Sequence, residues 1–474
     1  MTVKEALASW KGEAVKAAMD EEIRSHVSMG TWKLVERPHG VNIMKNRWVL
    51  TTKYRIDDTV EREKLRLVVK GFTQVYGDGY DETYSLVSSY VTPRIFLSIV
   101  AVLDLNLMQL DMKNAFVQSK LDPVLYMYQL DYFDNGTGWV LVYVDDLLAT
   151  TNSTAMLKEL LEAAFELREI SPVVKYIGLE IVRDRPARKL WLQQQGYADK
   201  LRRHFIDEEQ GVRISKTPVS VDAYTELTFD DEEAQEHEEE EYRQKVGSLQ
   251  FAATMTRPDI AFVCSKLGSG LTVRSDQHWR EVDRCLAYLA DTLETALEFG
   301  GGPKSLELIG YVNSDDTGDK QNRTSTGSYE FVYGRAAVSW SSSRIKCATL
   351  LSTESEFVAA MDAGKEGRRL RFLLAEFQQL EAGKPTVLQV DNKSAISVAE
   401  GLGLTSNLKR MERRYAWLQH IVRRGKFVLK YIPTTEQPAD FLTKAPSRSA
   451  KCAWPTSATG TMMCSSRCRA LLHG

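Results

Sequence analysis

Apolar and polar positions recur along this chain with two periods, and the changes of period mark out its elements. Helical spacing runs from Val3 to His26, then through the apolar stretch after Pro93 on to Asp111. It returns from Ser153 to Arg168, where Met156, Leu157, Leu160, Leu161, Ala164, Phe165 and Leu167 keep the period. Strand patterning is read in TWKLV, LRLVV, VKYIGLEIVRD and KLWLQ. EYRQKVGSLQFAATM and HWREVDRCLAYLA read as amphipathic helices. Beyond residue 303 come strands LELIGYV, GSYEFVY and AAVSW, a helix near 352–381 and a strand TVLQV. Helices from Asn392 and Leu408, a strand KFVLKYI and a helical turn after Pro438 close the series. Such mixing predicts a multidomain chain of α+β and α/β character, with room for about three domains in 474 residues.

Charge changes the picture once it is divided. The formal net charge is −3, but Asp230 to Glu241 (DDEEAQEHEEEE) carries nine acids, so the remainder is +6. A run of like charges reads as a solvated linker, and the folded parts are mildly basic, compatible with a polyanionic partner. Six cysteines and the lack of a leader-like start suggest a reducing intracellular setting. Cys264, Cys285 and Cys347 sit in ordinary patterned segments, and Cys452, Cys464 and Cys468 form no paired zinc-type motif. No apolar run reaches membrane-spanning length.

The candidate chemistry starts in VLVYVDDLLAT, Val140 to Thr150. Asp145 and Asp146 lie between β-formers on both sides, which reads as strand, acidic turn and strand. Carboxylates at a hairpin tip suit Mg²⁺, provided a third approaches from another strand; Asp111 in MQLDMKNAF is the candidate. Taken alone the string is equally a structural hairpin. The surroundings of both sites resemble the reverse transcriptase of copia-type LTR retrotransposons, whose QLDVKNAF-like and YVDD motifs supply metal ligands. That resemblance implies two divalent ions held by Asp111 and Asp145 with Asp146 in support. They would activate a primer 3′-oxygen and neutralise the departing pyrophosphate. It also implies that Lys64 and Arg66, in REKLRLVVKGFTQ, contact phosphates of template or incoming deoxynucleoside triphosphate. Phe116, five residues past Asp111, would be the aromatic that clashes with a ribose 2′-hydroxyl. By the same resemblance, residues 1–150 are fingers and palm, 151–228 a thumb-like unit and 229–241 an acidic linker. Residues 242–303 are a connection.

The third part, 304–445, resembles the family's ribonuclease H domain. LLSTESEFVAAMDAGKE, QVDNKSAI and QPADFLTK match its motifs, placing Glu356, Asp391 and Asp440 among the metal-binding acids. Glu356 is preferred to Glu354 because it precedes the aromatic-apolar run that buries its helix. Residues 446–474 read as a disordered tail.

Three departures qualify the expectation. Thirty-three residues lie between Asp111 and Asp145, where the family places several tens more. That span is too short for a packed crossover helix beyond its strands, so the palm is expected to be shortened near residue 130. In GYVNSDDTGD the leading acid aligns with Asn313, while Asp315 survives two positions later on the same side of the strand. In LKRMERRYAW, Arg410 and Glu412 replace a His and an Asp. The expected function is an RNA-directed DNA polymerase with a ribonuclease H domain, copying RNA into DNA and degrading RNA in hybrids, with both activities impaired. The alternative is a non-catalytic RNA/DNA-binding remnant. The resemblance implies an intracellular site, in a cytoplasmic particle or the nucleus, and no membrane partner.

Overall fold

The structure is a computed structural model. It describes residues 3–9, 11–28, 46–54, 60–69, 90–112, 138–143, 146–151, 167–206, 215–220, 236–271, 276–302, 306–315, 325–345, 352–381, 383–401, 412–444 and 462–464. The predicted N-terminal helix is two helices, α1 (Val3–Leu7) and α2 (Gly12–Ser28). They pack on an antiparallel pair, β1 (Asn46–Tyr54) and β2 (Val60–Val69). Strand alternation turns Leu65 inward to Ala6, Val15 and Ala18, so Lys64 and Arg66 lie on the opposite face. Glu63, on the inner side, is held below the usual carboxylate range by the Lys11 ammonium 2.6 Å away.

Next comes α3 (Val91–Leu103), which stops short of Asp111: Asp104 takes a left-handed turn (φ 53°) and the chain enters β3 (Asn106–Met112). The hairpin strands are β4 (Gly138–Tyr143) and β5 (Asp146–Thr151). With β6 (Leu167–Ile170) they form a four-stranded sheet in the order β4-β5-β3-β6. Leu167 and Arg168 are therefore strand rather than the end of a helix; 152–166 lie outside the described residues.

A second sheet is built from β7 (Lys175–Tyr176), β8 (Leu179–Asp184), β9 (Lys189–Gln193) and the later β10 (Thr295–Gly300). The helices around it are α4 (Gln195–Phe205), α5 (Glu236–Met255), α6 (Ala261–Leu267) and α7 (Asp276–Asp291). The acidic run differs from expectation: its last six residues, 236–241, open α5 rather than standing outside the fold. The Glu239–Arg243 and Glu241–Lys245 pairs, one turn apart, give those acids helical partners.

The C-terminal sheet has β11 (Ile309–Asp315), β12 (Thr326–Tyr333) and β13 (Ala336–Arg344) as an antiparallel meander. After α8 (Ser352–Glu376), β14 (Thr386–Val390) joins β11 in parallel. Then α9 (Lys393–Glu400) and α10 (Glu412–Arg423) lead to β15 (Phe427–Tyr431), parallel to β14. The strand order is β13-β12-β11-β14-β15. A 3₁₀ turn, Pro438–Leu442, follows. In the expected tail, β16 (Met462–Cys464) pairs with the edge of β10; 445–461 and 465–474 lie outside the described residues.

One core runs through all three parts, and α3 is its pivot. Its sequence VTPRIFLSIVAVL is apolar all round, so it has to be buried on more than one side. It packs on β9 and β10 on one flank and on β13 on the other. Phe96 and Trp139 both meet Phe377 at the end of α8, with ring centroids 6.1 and 6.0 Å away. The two-residue β12–β13 turn, Gly334 and Arg335 at φ 60° and 75°, rests on Ser98, whose hydroxyl donates to the Tyr333 carbonyl at 3.0 Å. A Cβ at Gly334 would lie 2.0 Å from Ser98 Oγ, so the close approach requires glycine.

Arg94 anchors this junction. Only 3% exposed, it donates through Nε to the Val338 carbonyl at 2.7 Å. Its Nη1 reaches the carbonyls of Thr254 (2.6 Å) and Met255 (2.8 Å) at the end of α5. The guanidinium lies 4.0 Å from the centre of the Trp340 ring, adding a cation–π contact.

Candidate functional site

Two acid-bearing centres can be built from the described residues. In the N-terminal sheet, β3 and β5 are antiparallel and in register, so Asp111 stands directly opposite Asp146 and Leu110 opposite Leu147. Directly opposed residues share a sheet face, which brings the two carboxylates together; unscreened like charges there are destabilising. On the other side of Asp111 the register places Arg168 of β6, a cation at the end of the stretch whose spacing predicts a helix. Asp145 and Phe116 lie outside the described residues, as does the whole stretch 113–137 in which the shortening was expected.

The second centre forms where β11 and β14 end side by side. Val312 pairs with Val390 in parallel, so the next residues, Asn313 and Asp391, leave neighbouring strands together. The carboxyl ends of parallel strands are where sheets of this kind open a crevice. The second turn of α8 delivers Glu356, whose Oε1 accepts from the Ser314 backbone N–H at 2.9 Å. Ser314 and Ser355 hydroxyls meet at 2.9 Å beside it. The 3₁₀ turn delivers Asp440 and is fixed to the sheet twice. Gln437 Nε2 donates to the Val312 carbonyl at 2.9 Å, and Ser328 Oγ donates to the Ala439 carbonyl at 3.1 Å. Asp391 accepts from Thr434 Oγ1 at 3.0 Å.

Asn313 decides what this centre can do. It is 4% exposed, and its Nδ2 donates to Asp440 Oδ1 at 3.0 Å, with Thr443 Oγ1 at 3.4 Å. The opposite amide orientation would set two acceptor oxygens against each other, so the assignment follows from the chemistry. An amide donor thus occupies the place between β11 and the 3₁₀ turn where a carboxylate would join Asp440 in ligating a cation. Asp440 Oδ1 also receives the Lys444 ammonium at 2.6 Å, a contact that sequence reasoning missed although the residue ends QPADFLTK. Asp315 does not bend in to compensate, because the β11–β12 ladder runs straight through Asn313–Ser328 to Asp315–Thr326. Glu354, 5% exposed, is two residues from Glu356 and so cannot share its helix face. Arg410 is outside the described residues, and Glu412 opens α10. Among the described residues no group of three or more His, Cys, Asp or Glu side chains converges as a metal site. As they stand, the residues of the second centre do not fit a divalent pair.

The sequence matches a family model described as reverse transcriptase (RNA-dependent DNA polymerase) over residues 29–137. The match falls on the first part of the chain, and the C-terminal β13-β12-β11-β14-β15 sheet with its helices forms a further mixed-sheet unit behind it. The chain is 31% identical over 512 aligned residues to the Retrovirus-related Pol polyprotein from transposon TNT 1-94 of Nicotiana tabacum. It is 29% identical over 504 residues to that from transposon RE2 of Arabidopsis thaliana. Each alignment takes in 94% of this chain, which spans 38% and 34% of the lengths of these relatives. Over nearly all of its length the chain is similar to a fragment of the copia-type retrotransposon Pol polyproteins. The first alignment is longer than the part of this chain it uses: 94% of 474 residues is about 446, against 512 aligned. Among solved structures, an RNase H1 named LC11, in complex with an RNA/DNA hybrid, aligns at TM-score 0.23 and 15% identity. It covers 29% of this chain and 94% of its own, a score too low to support a structural argument.

Proposed function

We propose that this chain is a retrotransposon-derived RNA-directed DNA polymerase with a ribonuclease H-like unit that retains nucleic-acid-binding surfaces while both chemistries are impaired. The observation that carries this reading is the Asn313 amide donating to Asp440. The amide carries no charge and turns its nitrogen toward Asp440, and among the described residues no group of three acids converges there. Residues 1–150 would be fingers and palm, 151–228 thumb-like, 242–303 a connection and 304–445 the ribonuclease H-like unit. In the palm, Asp111, Asp145 and Asp146 would hold Mg²⁺ or Mn²⁺, which when bound supplies charge neutralisation at phosphate. The opposed Asp111 and Asp146 support that assignment, and Arg168 beside Asp111 opposes it electrostatically. Asp391, Glu356 and Asp440 would be the surviving acids of the second centre, with Asp315 too far along its strand to join them.

Binding would rest on the outer face of β2, where Lys64 is half-buried and Arg66 exposed. The partners would be an RNA template and RNA/DNA hybrids, held through phosphates and therefore sensitive to salt but not to sequence. The test is fluorescence anisotropy with a labelled hybrid at increasing salt. Lys64→Glu with Arg66→Glu is expected to weaken binding about tenfold and to flatten the log–log salt dependence by about 1.8 for two lost phosphate contacts. An unchanged slope would remove β2 from the interface.

A further inference from the structure

We propose that the cavity between the first turn of α3, the end of α5 and β13 binds a phosphate monoester, held by Arg94 and Ser342. The cavity measures about 360 Å³, at the lower end of the roughly 300–1,000 Å³ typical of small-molecule sites. It stands apart from both acid-bearing centres, since none of Asp111, Asp146, Glu356, Asp391 and Asp440 lines it. Arg94 lines it, and among the described residues no carboxylate pairs with that guanidinium directly. Its Nε and Nη1 are spent on the Val338, Thr254 and Met255 carbonyls, which leaves Nη2 as the nitrogen available to a ligand. Burial pulls the guanidinium down to about 9 from an ordinary 12.5, as expected of a cation short of counter-charge.

Two further features of the wall favour an oxyanion. Ser342 Oγ, closed off from bulk solvent, has no hydrogen-bond partner among the described residues. Tyr90 and Val91 bring the start of α3 to the cavity, and no side chain caps that turn, so the positive end of the helix dipole adds to the attraction. Glu366 also lines the cavity, but its carboxylate is engaged. It accepts from Ser339 Oγ at 2.6 Å and from Arg369 Nε and Nη2 at 2.8 and 2.5 Å. Arg369 thus offsets Glu366, and Arg94 is left as the net charge of the lining. A phosphoryl group suits this set better than a carboxylate, because it offers three acceptor oxygens to donors on both α3 and β13. The remaining volume, walled by Tyr90, Tyr329 and Trp340, suits the ring or sugar of an ester.

The test is isothermal titration calorimetry of the full chain in EDTA, with adenosine 5′-monophosphate as the probe. Inorganic phosphate, adenosine and acetate are titrated beside it at matched ionic strength. The monophosphate and inorganic phosphate are expected to bind, and adenosine and acetate to bind about tenfold more weakly than these or not at all. Ser342→Asp adds a carboxylate to the same wall and is expected to weaken monophosphate binding about tenfold. Ser342→Ala removes one donor and is expected to weaken it about threefold. Melting temperatures control for folding, and the alanine variant decides if Ser342→Asp does not fold. Lys64→Glu with Arg66→Glu is expected to leave the affinity unchanged, which separates this cavity from the β2 surface. The proposal is overturned if neither phosphate binds, if adenosine or acetate binds as tightly as the phosphates, or if a folded Ser342 variant keeps wild-type affinity. Loss of binding in the β2 variant alone also overturns it, and moves the phosphate to that surface.

Discussion

Arg94→Ala is expected to lower the unfolding free energy by about 3 kcal/mol, since carbonyls left without a donor cost about 1–3 kcal/mol each and the release of a buried cation offsets part of that. The guanidinium satisfies three carbonyls on two elements, Val338 on β13 and Thr254 and Met255 on α5, while stacking on Trp340. Its removal leaves those carbonyls short of a donor and opens a void beside the indole. Arg94→Lys is expected to recover less than half of the loss, because one ammonium on a flexible stem cannot reproduce the planar fork. Denaturant unfolding followed by Trp fluorescence reads both. A loss under 1 kcal/mol for Arg94→Ala would mean that α3 is not held to the C-terminal sheet by this residue.

The second large effect concerns Glu330, in mid β12 between Tyr311 and Trp340 on its two neighbours. It is 1% exposed, and burial pushes its carboxyl up to about 8 from an ordinary 4.5. Between those values the unfolded chain has released the proton while the folded chain keeps it. The folded state then binds more protons, and its stability falls as pH rises from about 4.5 to about 8, levelling off above that. Glu330→Gln removes the titration. The variant is expected to match wild type near pH 4.5 and to exceed it by on the order of 3 kcal/mol at pH 8.5. Thermal melts at both pH values give the comparison. A gap between the two proteins that does not grow with pH would show that Glu330 is not buried as an acid.

Both residues explain where sequence reading stopped. Alternation around Asp145 and Asp146 predicts the hairpin, because apolar β-formers flank an acidic turn, and β4 and β5 lie where that pattern puts them. Likewise the order of strands and helices beyond residue 303 is legible, since each element has its own period and its own breakers. Arg94 carries a faint signal, as the one charged residue in an otherwise apolar helix, but its partners are 160 to 244 residues away in sequence and no local pattern names them. Glu330 in GSYEFVY has the same character. Asn313 was legible as a departure, whereas its hydrogen bond to Asp440 depends on a turn 127 residues later. A lysine at the end of a short turn has the pattern of a solvated charge, and nothing local names Asp440 as the partner of Lys444. The helical ending of the acidic run depends on ion pairs with Arg243 and Lys245, which composition alone does not weigh.

The central claim is that these acids and basic surfaces still engage nucleic acid but no longer carry out chemistry on it. It is tested most directly by incubating the purified chain with a labelled RNA template annealed to a recessed, separately labelled DNA primer, with deoxynucleoside triphosphates and either Mg²⁺ or Mn²⁺. The account predicts a retarded complex in which the primer keeps its length and the RNA stays intact. Primer extension or RNA cleavage by wild type, absent from an Asp111→Asn, Glu356→Gln control, would contradict it.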